Sequence, residues 1–156
     1  MGFDYDLYEK QCDEMREENE KYLEIFEKEM KNSGLTERTI DKHIDNIDFY
    51  INVYLLREEV RTMDQGCYYA DMFLGYFFIT KCMWSSPGGI RSNIASLKKF
   101  YKCMLANGYI DQNDYDYLIA DIKDNKDEWI QYCIEYDDPN CENPFEREMR
   151  EFFDEI

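Results

Sequence analysis

Five cations and no anion fall within residues 72–110 of a chain otherwise crowded with carboxylates: Lys81, Arg91, Lys98, Lys99 and Lys102. The 156 residues carry a formal net charge of −17, so all of that charge, and five units more, lies outside the stretch. Lysine and arginine without carboxylates among them are the residue types that neutralise phosphate. Arg91, Ala95, Lys98 and Lys102 recur at i, i+4, i+7 and i+11, with Lys99 beside them, which puts the cations on one face of a helix. Ile90, Ile94, Leu97, Tyr101, Met104 and Leu105 form the face opposite. Ser85-Ser86-Pro87-Gly88-Gly89 opens this helix, with Ser at the N-cap and Pro at the first helical position. The unpaired N–H groups of such an opening suit a phosphate oxygen.

Other chemistry is sparse. The six cysteines (Cys12, Cys67, Cys82, Cys103, Cys133, Cys141) have no zinc-knuckle spacing, and the chain has one histidine, so neither a metal nor any other cofactor is expected. The cysteines read as reduced thiols of a cytoplasmic protein, mostly filling the core. Gly88-Gly89 is a turn and not a phosphate-binding loop. Gly2 is not followed by Ser or Thr at residue 6, which is Asp6, so no lipid anchor is inferred. The 35 acidic residues sit at solvent-facing helix positions, and His43 reads as a packed or half-exposed side chain. No enzymatic activity and no small-molecule substrate are expected.

The elements that must position the basic face are helices. Tyr8, Cys12, Met15, Tyr22, Phe26 and Met30, interrupted by Asn19, give a long amphipathic helix from Leu7 to about Lys31, ended by Asn32-Ser33-Gly34. Thr36 caps a second helix, with Leu35 and Ile40 as a hydrophobic staple. Ile40, Ile44, Ile47, Ile51, Tyr54 and Leu55 carry that helix to about Glu59. A third, apolar nearly all round, runs from Gly66 to Trp84. Nine residues separate Asp71 from Lys81, less than half of the roughly 20 a bilayer needs, so a central core helix is expected and no membrane partner. The basic helix ends at Asn107-Gly108. A fifth starts near Asn113, with fraying at Asp124-Asn125, and stops at Asp137-Asp138-Pro139. A short acidic helix opens at Asn143-Pro144 and carries Phe145, Met149, Phe152 and Ile156 on one side. The fold class is all-α, a single-domain bundle of about five to six helices.

Tyr22-Leu23-Glu24-Ile25-Phe26, then Ser33-Gly34-Leu35-Thr36-Glu37-Arg38-Thr39-Ile40, resembles the opening of the core-binding (SAM-like) domain of tyrosine recombinases and phage integrases. Pro87-Gly88-Gly89-Ile90-Arg91 through Ser96-Leu97-Lys98-Lys99-Phe100-Tyr101, with Gly108-Tyr109-Ile110 behind it, is similar to that family's second characteristic helix and turn. The resemblance covers about residues 18–120. It implies an N-terminal helix extension (1–17), a core-binding-like domain (18–136) and an acidic C-terminal tail (137–156). It also implies that helices 36–59 and 87–107 face the major groove of duplex DNA, placing Arg38, Lys42, Arg91, Lys98, Lys99 and Lys102 near phosphates or base edges. No counterpart of the family's catalytic domain is expected. Asn46 stands three residues after His43, so the His-x-x-Arg motif is not formed and no strand cleavage or ligation is expected.

Two readings follow. In the first, a non-catalytic module contacts DNA through the 87–107 helix. In the second, an acidic, aromatic surface docks a protein partner or a second copy through Phe145, Met149, Phe152 and Ile156. Glu37, Asp41, Asp45 and Asp48 on the second helix, and the overall charge, work against DNA. The basic stripe is equally explained as a solvated face paired with acidic neighbours.

Overall fold

Polar caps and apolar periodicity set the limits of six helices, and the computed structural model describes residues 2–155. Asp4 accepts from the Leu7 N–H and starts α1, Tyr5–Asn32. Thr36 caps α2, Glu37–Phe49, which runs on as a π-helical turn, Tyr50–Tyr54. A 3-10 turn, Asp64–Tyr68, leads into α3, built of Ala70–Met72, a π-helical Phe73–Phe77 and Phe78–Lys81. Ser86 caps α4, Pro87–Ala106, and an Asp111/Asp114 capping box starts α5, Gln112–Asp137. Asn143 caps α6, Pro144–Asp154. Among the described residues 78% are helical and none is in a strand, so the chain is an all-α single domain. No described helix is long and apolar enough to cross a membrane.

The centre of the bundle is aromatic. Phe26, Tyr50, Phe73, Phe100, Tyr101 and Trp129 are all buried to within 1% of full cover. Two of them carry hydroxyls that burial would leave unpaired, and the 60s turn supplies the acceptors: Tyr50 donates to the Gly66 carbonyl at 2.6 Å and Tyr101 to the Met63 carbonyl at 2.7 Å. A Cβ on Gly66 would lie 2.1 Å from the Tyr101 hydroxyl, so this approach requires glycine. Gly34 and Gly108, both at φ +78°, end α1 and α4 as left-handed caps.

Three boundaries differ from the sequence reading. The second helix ends at Tyr54, not near Glu59. The Leu55 N–H reaches back to the Tyr50 carbonyl to close a wider turn, and the Arg61 N–H then bonds to the Leu55 carbonyl, so the chain folds back with Leu55 and Leu56 buried beneath it. The expected 66–84 helix is broken at Tyr69 and ends at Lys81. The fifth helix does not fray at Asp124-Asn125 but runs unbroken through them, with Asn125 Nδ2 bonded back to the Asp121 carbonyl and carboxylate, both at 2.9 Å.

The 17/18 boundary falls inside the unbroken α1. Tyr8 and Arg16 from its first half reach carbonyls at Leu56, Arg57 and Asn52. Asn19, the polar interruption of the stripe, is fully buried and donates to the Ile51 carbonyl and to Asn52 Oδ1.

Candidate nucleic-acid interface

The basic face is assembled from two helices joined by a polar seam. Asn46 on α2 donates to Ser92 Oγ at 3.0 Å and Ser96 Oγ at 2.9 Å, and His43 Nδ1 lies 2.8 Å from the same Ser96 Oγ. Ser96 Oγ also lies 3.1 Å from the Ser92 carbonyl, so its hydroxyl is the hub of the seam. Burial, and then the positive charge of Lys99, pull the His43 pKa below its ordinary value, and the ring is neutral at neutral pH.

Helical spacing places the cations relative to this seam. On α4, Ser92 and Ser96 face α2, while Arg91, Ala95, Lys98, Lys99 and Lys102 lie on the outward side and are exposed. On α2, Arg38 and Lys42 lie one step outward of His43 and Asn46, also exposed. His43 and Asn46 meet Ser96 and Ser92 in reverse order, so α2 and α4 run antiparallel. That brings Arg38 and Lys42 towards the Lys99 and Lys102 end of α4. All six expected cations thus share one side of the α2–α4 pair. None of them forms an ion pair within 4 Å among the described residues, whose five ion pairs use Arg16, Lys31, Arg61, Arg147 and Arg150.

The acidic residues of α2 are largely sorted away from this side. Glu37, Asp41 and Asp48 share a stripe with Ile44 at i, i+4, i+7 and i+11. Ile44 and Asp48 border a groove with Arg16, Glu20 and Leu23 of α1. Asp45 remains beside Arg38 and Lys42.

At the opposite end stands the helix opening. Ser86 Oγ accepts from the Gly89 N–H at 2.9 Å, Pro87 has no N–H, and Gly88 is exposed with no heavy atom nearer than 3.9 Å to where its Cβ would be. A Cβ on Gly89 would lie 3.0 Å from Phe78 Cζ, so glycine lets this end pack on α3. Just ahead, Met83 is fully exposed and Trp84 is 64% exposed, its ring edge-on to Phe49 at 5.7 Å. In the sequence both fall at the end of the expected 66–84 core helix. Their position directly before Ser-Ser-Pro-Gly-Gly was the available signal. Asn46, Ser92 and Ser96 were missed as well, because small polar residues at i and i+4 look alike whether they face water or a neighbouring helix.

The second expected contact set divides. Phe145 is half-buried in a cage of Tyr76, Tyr132 and Tyr136, with ring centroids at 5.1, 5.4 and 6.2 Å, so it serves the chain's own packing. Met149 and Phe152 are each 61% exposed, and Phe153 beside them 63%. Ile156 lies outside the described residues. No group of three side chains suited to a metal ion occurs among the described residues.

The chain matches no family model, no curated protein and no solved structure.

Proposed function

We propose that the chain is a non-catalytic module of the recombinase core-binding type that lays the α2–α4 side along duplex DNA. One observation carries the reading. In a chain of net charge −17, Arg38, Lys42, Arg91, Lys98, Lys99 and Lys102 are exposed on one side with no ion-pair partner among the described residues. The free helix opening at Gly88 and the exposed Trp84 border the same side and suit backbone phosphate and a sugar or base face.

The test is fluorescence anisotropy of a labelled duplex of about 30 base pairs, roughly three turns, at several salt concentrations. Six phosphate contacts predict a log–log salt slope of about −5. Arg91→Glu, Lys98→Glu and Lys102→Glu together should abolish binding while the helical circular dichroism is kept. Absence of binding at low salt, or a triple variant that binds as the parent does, would sink the proposal.

The exposure of Met149, Phe152 and Phe153 favours a second reading, an acidic helical module that docks a protein or another copy through α6. Removal of residues 143–156 should then lower the mass measured by light scattering or release a co-purifying partner, with the rest of the helical signal retained.

A further inference from the structure

Two arginines beyond the end of α2 are held against aromatic rings. The π turn at Tyr50–Tyr54 ends α2 abruptly, the Arg57 N–H bonds to the Tyr54 carbonyl, and the Arg61 N–H returns to the Leu55 carbonyl at 3.2 Å. The segment is folded back, and both guanidinium groups come to rest on aromatic faces. Arg57 Cζ is 4.7 Å from the centre of the Phe77 ring and Arg61 Cζ is 4.5 Å from that of Tyr69. Between them opens a cleft of about 170 Å³, bordered also by Tyr54, Met72 and Tyr76.

The cleft has more donors than acceptors. Among the described residues Arg61 Nε is buried without a hydrogen-bond partner, and the residue's one ion pair, to exposed Glu59, is long at 3.7 Å. A buried donor left unpaired is costly. Burial pushes the Tyr54 hydroxyl up to about 12, against the pull of Arg61 and Arg57, so at neutral pH it still has a proton to donate. Glu58 at the rim is the one carboxylate bordering the cleft. Met72 and Tyr76 present exposed apolar surface to the same space. Guanidinium groups already stacked on rings lose little further freedom when they take a ligand. The volume is close to that of an engineered cavity known to admit benzene, about 150 Å³.

We propose that this cleft binds a small aromatic oxyanion, its phosphate or carboxylate group held by Arg57, Arg61 and Tyr54 and its ring lying against Met72 and Tyr76. The site is independent of the DNA reading, since it uses none of the six α2–α4 cations. Arg57 and Arg61 supply paired donors to the oxygens, and Glu58 at the rim limits the charge the cleft tolerates.

Isothermal titration of the full chain with phenyl phosphate and with benzoate at low salt tests it. One-to-one saturable binding with a dissociation constant on the order of 0.1–1 mM is expected for at least one of them, and inorganic phosphate should compete. The preferred probe tells whether the oxyanion is a phosphate ester or a carboxylate. Arg61→Gln should weaken binding about tenfold or more, because a charge-assisted pair is lost. Arg57→Gln, at an exposed position, should weaken it in the same direction, and Lys98→Glu on the remote basic face should leave it unchanged. No saturable heat with either probe, binding indifferent to Arg57→Gln and Arg61→Gln, or an equal loss in Lys98→Glu would overturn the proposal.

Discussion

α4 and α6 open with the same local grammar and end in opposite situations. Each has a polar cap followed by proline, Ser86-Pro87 and Asn143-Pro144, and each is amphipathic. The apolar side of α4 is closed: Ile90, Leu97, Phe100, Tyr101 and Met104 are at most 1% exposed. The apolar side of α6 stays open beyond Phe145, with Met149, Phe152 and Phe153 more than 60% exposed. Local sequence therefore specifies that a helix forms, but the burial of its face depends on what the other helices offer. α4 meets α1, α2 and α5. α6 touches α5 near its start, through the Phe145 cage, the Arg147–Glu135 pair at 3.0 Å and the bond from Tyr132 to Glu148.

The largest expected effect sharpens this contrast. Phe100→Ala removes a fully buried ring that meets Phe26 edge-on at 5.3 Å and Tyr101 at 5.0 Å, and should cost about 3–5 kcal/mol in urea denaturation. The corresponding change on α6, Phe145→Ala, empties a half-covered cage. It should free α6 locally, seen as faster amide exchange in residues 144–154, with a smaller change in global stability. Equal global losses would show that α6 belongs to the cooperative core.

The helix caps come next. Ser86→Ala removes the acceptor for the Gly89 N–H and should cost about 1 kcal/mol of global stability, because α4 cannot fray without uncovering the core. Asn143→Ala removes the acceptor for the Phe145 N–H at 2.9 Å and should raise exchange in α6 alone.

These differences mark where the sequence was legible. Capping residues, glycine stops and the i, i+3, i+4 stripes depend on near neighbours in the chain, so six helices, the Ser86 and Thr36 caps and the Gly34 stop could be read directly. The basic stripe of α4 was legible for the same reason. What needed the structure were relations between helices. The seam of His43, Asn46, Ser92 and Ser96 joins residues some fifty positions apart. The fold-back that places Arg57 and Arg61 is made by the Leu55 N–H to Tyr50 carbonyl and Arg61 N–H to Leu55 carbonyl bonds, whereas the periodicity alone carries α2 on to Glu59. The cage around Phe145 draws on α3 and α5, so a residue that looked free for a partner is occupied at home.

Titration separates the two helices by pH. Burial and Lys99 hold His43 below its ordinary 6.5, so the unfolded chain binds a proton that the folded chain refuses. The α2–α4 contribution is then complete above about pH 6.5 and declines as pH falls from there through the lowered folded value. His43→Gln should flatten that part of the curve of stability against pH. On α6 the relevant group is Glu135, held below its ordinary 4.5 by Gln131 and then by Arg147. Its contribution is present above 4.5 and is lost as pH falls through the lowered value, so docking of α6 should survive the histidine window and weaken only in more acid solution. Amide exchange of α6 that changes already near pH 6.5 would break the distinction.

The smallest expected effect is the most demanding test of the comparison. Phe152→Ser with Phe153→Ser removes two large rings from a helix, which on α4 would be ruinous. On α6 these rings already meet water, so little apolar surface is re-exposed on unfolding, and the change should stay within about 0.5 kcal/mol by urea denaturation at low protein concentration. The same pair should lower the average mass at high concentration if the rings join copies of the chain, because the interface would lose its apolar anchors. A loss above about 1 kcal/mol in the dilute monomer cannot come from rings that were exposed. It would mean that α6 rests against its own bundle in solution more closely than its contacts near Phe145, Arg147 and Glu148 imply, and the contrast between a closed and an open helix would fall.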